Sequence, residues 1–425
     1  MIKTEYKIKK LKNGMKVLLV PNKNVDSVDV SVFFRVGSRC EEPQLSGISH
    51  FLEHMFFKGT KKRPETKMIS EAVDGVGGDM NAFTSYEYTG YYIKVASTNV
   101  EVAVDVLADM ILNSKFDPKE LNRERNVIKE EIKMYDDNPS ALVWRLWNQV
   151  LYGEQGLGRD VAGVFETVDN VDAKKMIEYR DKYYSIKNAL LVVVGNFAEK
   201  KMMEMLNKYW KNISIGEMSI FAKTDEQQAT PQLRLIKKDI NQANFCVGVR
   251  TYNSLHQDHF VCQVLSVILG QGMSSRLFIN VRERKGLAYS IHANTDHYTD
   301  VGNLMVKTGT DIDSVYDALK LILKEFSRLK KEPVEAVELK KAKEYWKGRM
   351  ILSLEQPETI ANIIGMQELI YDKVLTPDEM IKAIEKVSAK DIMRVANDIF
   401  ANDKLNLAVV GPFGDDEKFR KILKF

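Results

Sequence analysis

From Ser46 to Thr60 the chain reads SGISHFLEHMFFKGT, a stretch with the length and composition of a buried helix. Its side chains sort into two stripes. Ile48, Phe51, Leu52, Met55 and Phe56 form one, and His50, Glu53, His54 and Phe57 form the other, because positions i, i+3, i+4 and i+7 share a helical face. Two imidazoles one turn apart can bind a single metal ion, and the carboxylate beside them can reach a water at that metal. The chemistry implied is zinc-assisted hydrolysis, with His50 and His54 as ligands and Glu53 as general base. The competing explanation, three ordinary core residues, would bury two histidines and a glutamate without partners at a cost of about 1–3 kcal/mol each.

A catalytic zinc needs a third protein ligand and one open position. The segment LNRERNVIKEEIKMY supplies a candidate. Read as a helix, it places Leu121, Glu124, Ile128, Glu131, Ile132 and Tyr135 on one stripe and Arg123, Asn126, Glu130 and Lys133 on the polar face. Glu124 and Glu131 are thus directed inward and Glu130 outward. A buried ion pair would also account for two inward carboxylates. Joined to HFLEH, they become Glu131 as the third ligand and Glu124 as the group that orients a histidine ring through a hydrogen bond.

The elements that must position these residues belong to a repeated architecture. VDAKKMIEYRDKYYSIKNALLVVVGNF from Val171 aligns without a gap with VSAKDIMRVANDIFANDKLNLAVVGPF from Val387. Each reads as a helix, a turn and a buried strand ending at Gly195 or Gly411. A fainter pair, SVDVSVFFRVGS around Val30 and ANFCVGVRTYNS around Val247, reads as a strand entering a loop. Duplication follows, with an N-terminal zinc-binding domain over 1–220, a polar, proline-containing linker over 221–232 and a C-terminal domain over 233–425. The expected fold class is α+β: two homologous α/β sandwiches, each an antiparallel-rich sheet with helices on one face. Where the first half has HFLEHMFFKG the second has VCQVLSVILG, so the second is expected to be metal-free. His256 and His259 are read as surface residues, and His292 and His297 receive no role.

Bulk composition narrows the function classes. The 425 residues are 44% hydrophobic, enough for two full cores. Lys and Arg number 62 against 59 acidic residues, a net charge of +3 that gives no global case for nucleic acid or a membrane surface as partner. Cys40, Cys246 and Cys262 lack any CxxC spacing, so neither a disulfide framework nor a zinc knuckle is expected. The first residues alternate charge and hydrophobicity instead of forming an apolar signal core, and no run reaches the length of a membrane span. A cytoplasmic protein is the expectation.

These motifs resemble the inverzincin peptidases, the family of pitrilysin, insulin-degrading enzyme and the mitochondrial processing peptidase. HFLEHMFFKGT is similar to the signature of its single-chain bacterial members, and ERNVIKEEI to its downstream element, whose third ligand falls on Glu131. The resemblance runs over essentially the whole chain and implies two related α+β domains forming a half-clam. GGDMNAFTSYEYTGYY resembles the family's edge strand, so that Asn81, Ala82, Phe83 and Thr84 would pair with an extended substrate by β-augmentation; the residues alone equally suit an ordinary edge strand. SSRLFINVRERKGLAYSI resembles the segment that clamps substrate, with Arg282 on a substrate carbonyl and Tyr289 donating to the oxyanion. Without the resemblance Arg282 reads as surface and Tyr289 as core. The implied activity is that of a zinc endopeptidase, one Zn2+ per chain, acting on unfolded or short peptides and working as a homodimer. Because the family includes members that kept the fold and lost the metal, a non-catalytic scaffold, assembly or peptide-binding subunit is the alternative.

Overall fold

The apolar runs ALLVVVG and LNLAVVG become central strands because both of their faces are covered: every residue of each is buried. The computed structural model describes residues 5–425. Its strands are β1 (Lys7–Lys10), β2 (Lys16–Pro21), β3 (Ser27–Phe34), β4 (Asp79–Thr84), β5 (Thr89–Ala96), β6 (Ala189–Gly195), β7 (Gln232–Lys237), β8 (Gln242–Thr251), β9 (Ala288–His297), β10 (Gly302–Asp311) and β11 (Leu405–Gly411). The helices of the first half are α1 (Ile48–Phe56), α2 (Thr66–Asp74), α3 (Val100–Asn113), α4 (Pro118–Asp137), α5 (Pro139–Tyr152), α6 (Phe165–Asp169), α7 (Ala173–Tyr183) and α8 (Glu199–Tyr209). Those of the second are α9 (His259–Gly270), α10 (Val315–Lys331), α11 (Ala336–Ser353), α12 (Pro357–Tyr371), α13 (Pro377–Lys386), α14 (Ala389–Ile399) and α15 (Glu417–Ile422).

The two sheets share one strand order over five strands, to which the first adds β1 at one edge. The first runs β1-β2-β6-β3-β5-β4 and the second β7-β11-β8-β10-β9. In the first only β2 and β6 pair in parallel, and in the second only β7 and β11 do. The matched segments from Val171 and Val387 form α7 with β6 and α14 with β11, equivalent positions in the two sheets. The fold is therefore a duplicated α+β arrangement.

The compact units do not follow the contiguous spans 1–220 and 233–425. The first comprises the chain through Ile132 together with Arg159–Ala222 and Ile351–Asp378; the second comprises Lys133–Gly158, Lys223–Met350 and Glu379–Phe425. Each half thus lends one helix to the other half's sheet: α12 packs on β3 and β6, and α5 on β8 and β11. This also changes the expectation of helices on one face only. On the first sheet Val30, Val32, Leu191 and Val193 join the core formed with α1, α3 and α7, while Phe33 and Val192, which alternate with them, lie against α12. A Cβ at Gly365 of α12 would stand 2.9 Å from Val192 and 3.0 Å from Phe33, so glycine sets the close approach of that helix. A strand pattern cannot reveal which distant helix covers its second face.

Candidate metal centre

The first stripe of the HFLEH helix is anchored as expected, with Ile48, Phe51, Leu52, Met55 and Phe56 buried in the first unit's core. The start of the helix is fixed by two devices. Gly47 adopts a left-handed φ of 94°, and a Cβ there would meet the Ala162 carbonyl oxygen at 2.6 Å. The carboxylate of Glu41 then accepts the Gly47 N–H at 2.7 Å and the Ser49 N–H at 2.8 Å, satisfying amides that a helix start leaves unpaired. Ser49 Oγ also meets Tyr179 Oη of α7 at 3.0 Å.

From this rigid base the second stripe faces α4. His54 Nε2 lies 3.6 Å and His50 Nε2 3.8 Å from Glu131 Oε2, and among the described residues these three form the one cluster of at least three His, Cys, Asp or Glu donors suited to a metal. On α4, Leu121, Glu124, Ile128 and Ile132 are buried and Glu131 is half-buried, whereas Glu130 is exposed. Tyr135 departs from the inward stripe and is 38% exposed, because it follows the point at which the chain leaves the first unit.

The donor set fits a zinc ion. His54 Nδ1 is 2.8 Å from Glu124 Oε1. With its N–H given to that carboxylate, His54 turns the lone pair of Nε2 toward the carboxylate of Glu131, at a separation too long for a hydrogen bond. Burial, helped by the neighbouring His54, pushes the pKa of His50 down to about 3 and keeps its ring neutral. Lone pairs and a carboxylate facing one another call for a cation among them, and donors each about 2.1 Å from one ion stand apart by up to about 4 Å. The Glu124 carboxyl loses solvation by burial, but the hydrogen bonds from His54 and Lys58 outweigh that loss and hold its pKa below the ordinary range. Lys58 Nζ approaches Glu124 Oε2 at 2.7 Å.

Glu53 sits beside the donors with its pKa raised, chiefly by burial. Its Oε2 accepts a 2.5 Å hydrogen bond from Thr84 Oγ1. Thr84 is the last residue of β4, an edge strand of its sheet, on which Asn81 is exposed and Ala82 and Phe83 are half-buried. In the second unit Arg282 lies in a π-helical turn, Phe278–Glu283, with its guanidinium 4.7 Å from the Phe278 ring and 5.3 Å from the Tyr289 ring. Tyr289 is 83% exposed on β9 rather than in the core.

Sequence reasoning missed Glu41, Lys58 and the bond from Thr84 to Glu53. Glu41 precedes the helix across a loop, where no spacing rule applies; Lys58 lies four residues beyond His54, a helical interval that could have pointed to it. His259 also differs from its reading as surface. It opens α9 half-buried, with Nδ1 out of solvent and its ring beside His297, while His256 stacks on Tyr252 at 4.0 Å.

The chain matches Insulinase (Peptidase family M16) over residues 16–164 and Peptidase M16 inactive domain over residues 170–345. It is 36% identical over 403 residues to a Bacillus subtilis protein named as an uncharacterized zinc protease, covering 95% of this chain and 97% of that one. A Rickettsia felis protein, likewise named as an uncharacterized zinc protease, is 34% identical, with 97% of this chain and 98% of that one covered. A protease from Helicobacter pylori superposes with a TM-score of 0.90 at 25% identity, covering 96% of this chain and all of that one. With both halves matched and relatives aligned along nearly its whole length, this chain belongs to peptidase family M16, the insulinase family.

Proposed function

We infer that the protein is a zinc-dependent endopeptidase that hydrolyses unfolded or short peptides held in extended conformation, with one zinc per chain held by His50, His54 and Glu131. The observation that carries this reading is the convergence of both imidazole Nε2 atoms on Glu131 Oε2 beside a carboxylate tied to an edge strand.

A zinc ion held there would supply Lewis acidity toward a scissile carbonyl and acidify the attacking water. Glu53 is the general base: it accepts that water's proton and delivers it to the leaving amine, a cycle favoured by a carboxyl whose pKa burial has raised. Thr84 holds one oxygen of Glu53 and leaves the other for the proton. Glu124 fixes the His54 ring, and Lys58 keeps Glu124 ionised. The outer edge of β4 along Asn81, Ala82, Phe83 and Thr84 receives the peptide main chain, which is why a folded substrate is excluded. Arg282 holds a substrate carbonyl and Tyr289 donates to the developing oxyanion, roles supported by the family resemblance of their segment. A cytoplasmic homodimer completes the reading. No helix among the described residues is long and apolar enough to cross a membrane.

The test is hydrolysis of a library of internally quenched peptides by the full chain, stripped of metal and then restored with Zn2+. Internal bonds should be cut only after restoration. Stoichiometric zinc without turnover of any peptide would overturn the reading in favour of a non-catalytic scaffold or peptide-binding subunit.

A further inference from the structure

The second unit holds a histidine pair for which the peptidase chemistry has no use. His259 is the first residue of α9 and His297 the last of β9. Their ring centroids lie 4.2 Å apart with the planes at 66°; those of His50 and His54 lie 4.6 Å apart, also at 66°. The elements correspond as well. α1 lies in the chain between β3 and β4, and α9 between β8 and β9, with β4 and β9 the equivalent edge strands of sheets of like order. α9 opens HFVCQ, so the positions three and four residues beyond His259 hold Cys262 and Gln263, where HFLEH has its glutamate and second histidine at those intervals from His50.

The hydrogen bonds of this pair leave two nitrogens unmatched. His297 Nδ1 is 2.8 Å from the Tyr252 carbonyl oxygen, so Nδ1 carries the proton and Nε2 presents a lone pair. That Nε2 is out of solvent and without a hydrogen-bond partner. His259 Nε2 faces the Gln263 amide nitrogen at 2.9 Å, while His259 Nδ1 and Gln263 Oε1 are both out of solvent without a partner. Amide oxygen and nitrogen are interchangeable in shape, and turning the amide over makes Oε1 the acceptor of His259 Nε2–H. Each imidazole then gives one N–H to a carbonyl oxygen and keeps, on its other nitrogen, a lone pair out of solvent and without a partner, on rings whose centroids lie 4.2 Å apart; one N–H so held is the arrangement that orients metal-ligating histidines. Burial holds both rings neutral, pushing His259 down to about 3 and lowering His297, so neither ring supplies a cation of its own.

We propose that His259 and His297 form a second metal site, for a late first-row transition-metal ion such as Zn2+, with Gln263 and the Tyr252 carbonyl orienting the two rings. Imidazole suits these ions over Mg2+ or Ca2+. With two imidazoles and no carboxylate ligand, the site binds more weakly than the His50, His54 and Glu131 site. It has no carboxylate base three residues after its histidine: Cys262 stands there, and burial pushes its thiol up to about 12. The ion therefore ties the start of α9 to the end of β9 without performing hydrolysis.

The full chain, stripped of metal, is titrated with Zn2+ alone against a chromophoric chelator. The wild type should bind two equivalents, one tight and one weak. His259→Ala, His259→Gln and His297→Ala should each lose the weak equivalent and keep the tight one, with an unchanged far-ultraviolet circular dichroism spectrum. His292→Ala, at an exposed position of the same strand, should keep both. His50→Ala should keep only the weak equivalent, which separates this proposal from the peptidase reading. A wild type that binds one equivalent, or a weak equivalent that survives substitution of both His259 and His297, overturns the proposal and leaves a direct N–H···N contact between the rings.

Discussion

Thr84 Oγ1, at the end of the edge strand β4, donates a 2.5 Å hydrogen bond to Glu53 Oε2 on the HFLEH helix. One hydroxyl thus connects the strand proposed to receive a peptide with the carboxylate proposed to move a proton. A hydrogen bond to a charged group contributes about 1.5–3 kcal/mol. Thr84→Val should accordingly lower kcat/KM about 10–100-fold, at about 1.4 kcal/mol per decade, while Thr84→Ser retains most activity and both variants keep their zinc. Steady-state kinetics with metal analysis check this; wild-type kcat/KM in Thr84→Val would remove the bond from the mechanism.

The Glu124 carboxylate is shared between His54 Nδ1 and Lys58 Nζ at 2.8 and 2.7 Å. Groups that orient a ligand typically contribute 10–100-fold to metal affinity. Glu124→Gln and Lys58→Ala should each weaken zinc binding by about that factor, and the double variant should be less than additive because both act on one ring. Competitive chelator titration measures the affinities, and multiplicative losses would show independent roles.

Adjacent glutamates on α4 offer a sharper comparison. Glu131 faces both imidazoles, and Glu130 is exposed. Glu131→Gln should lose stoichiometric zinc, whereas Glu130→Gln should retain it with stability within about 0.5 kcal/mol of wild type, the usual range for surface changes. Elemental analysis after gel filtration distinguishes them, and the reverse pattern would refute the assignment of the inward face.

Asp29, buried on β3, predicts a pH effect on stability away from the metal. Burial pushes its carboxyl up to about 7; the Ser31 hydroxyl and Lys94 oppose the shift, and Glu358 and Asp79 add to it. Oδ2 has no hydrogen-bond partner. Between about pH 4 and pH 7 the folded chain retains a proton that the unfolded chain releases, so this residue's contribution to stability falls as pH rises through that window and is level above it. Asp29→Asn should be more stable than wild type at pH 8, by up to about 4 kcal/mol at 1.36 kcal/mol per pKa unit, and little different at pH 4. Thermal midpoints at the two pH values test this. An equal difference at both would show that Asp29 does not titrate in that window.

Much of the site was legible because its information is local. HFLEH carries the helical spacing that puts His50, Glu53 and His54 on one stripe, and Glu124 and Glu131 sit one further pair of turns apart on α4. The repeat at Val171 and Val387 likewise disclosed the duplicated sheets, since a helix followed by a fully buried strand leaves a strong pattern. What sequence did not disclose depends on distant segments meeting. Glu41 reaches the start of α1 from a loop, Thr84 reaches Glu53 across the chain, and α5 and α12 cover sheets built by the opposite halves. His259 looked exposed because its neighbours in LHQDHF are polar, yet helix α9 begins at that residue and turns its ring against His297.

Glu53→Gln tests the central claim most directly, because it changes the proposed base while leaving His50, His54 and Glu131 in place. Zinc content and quenched-peptide hydrolysis should be measured on the same preparation. The account predicts zinc at the wild-type level with cleavage reduced to background; substantial cleavage by a zinc-replete Glu53→Gln chain would contradict it.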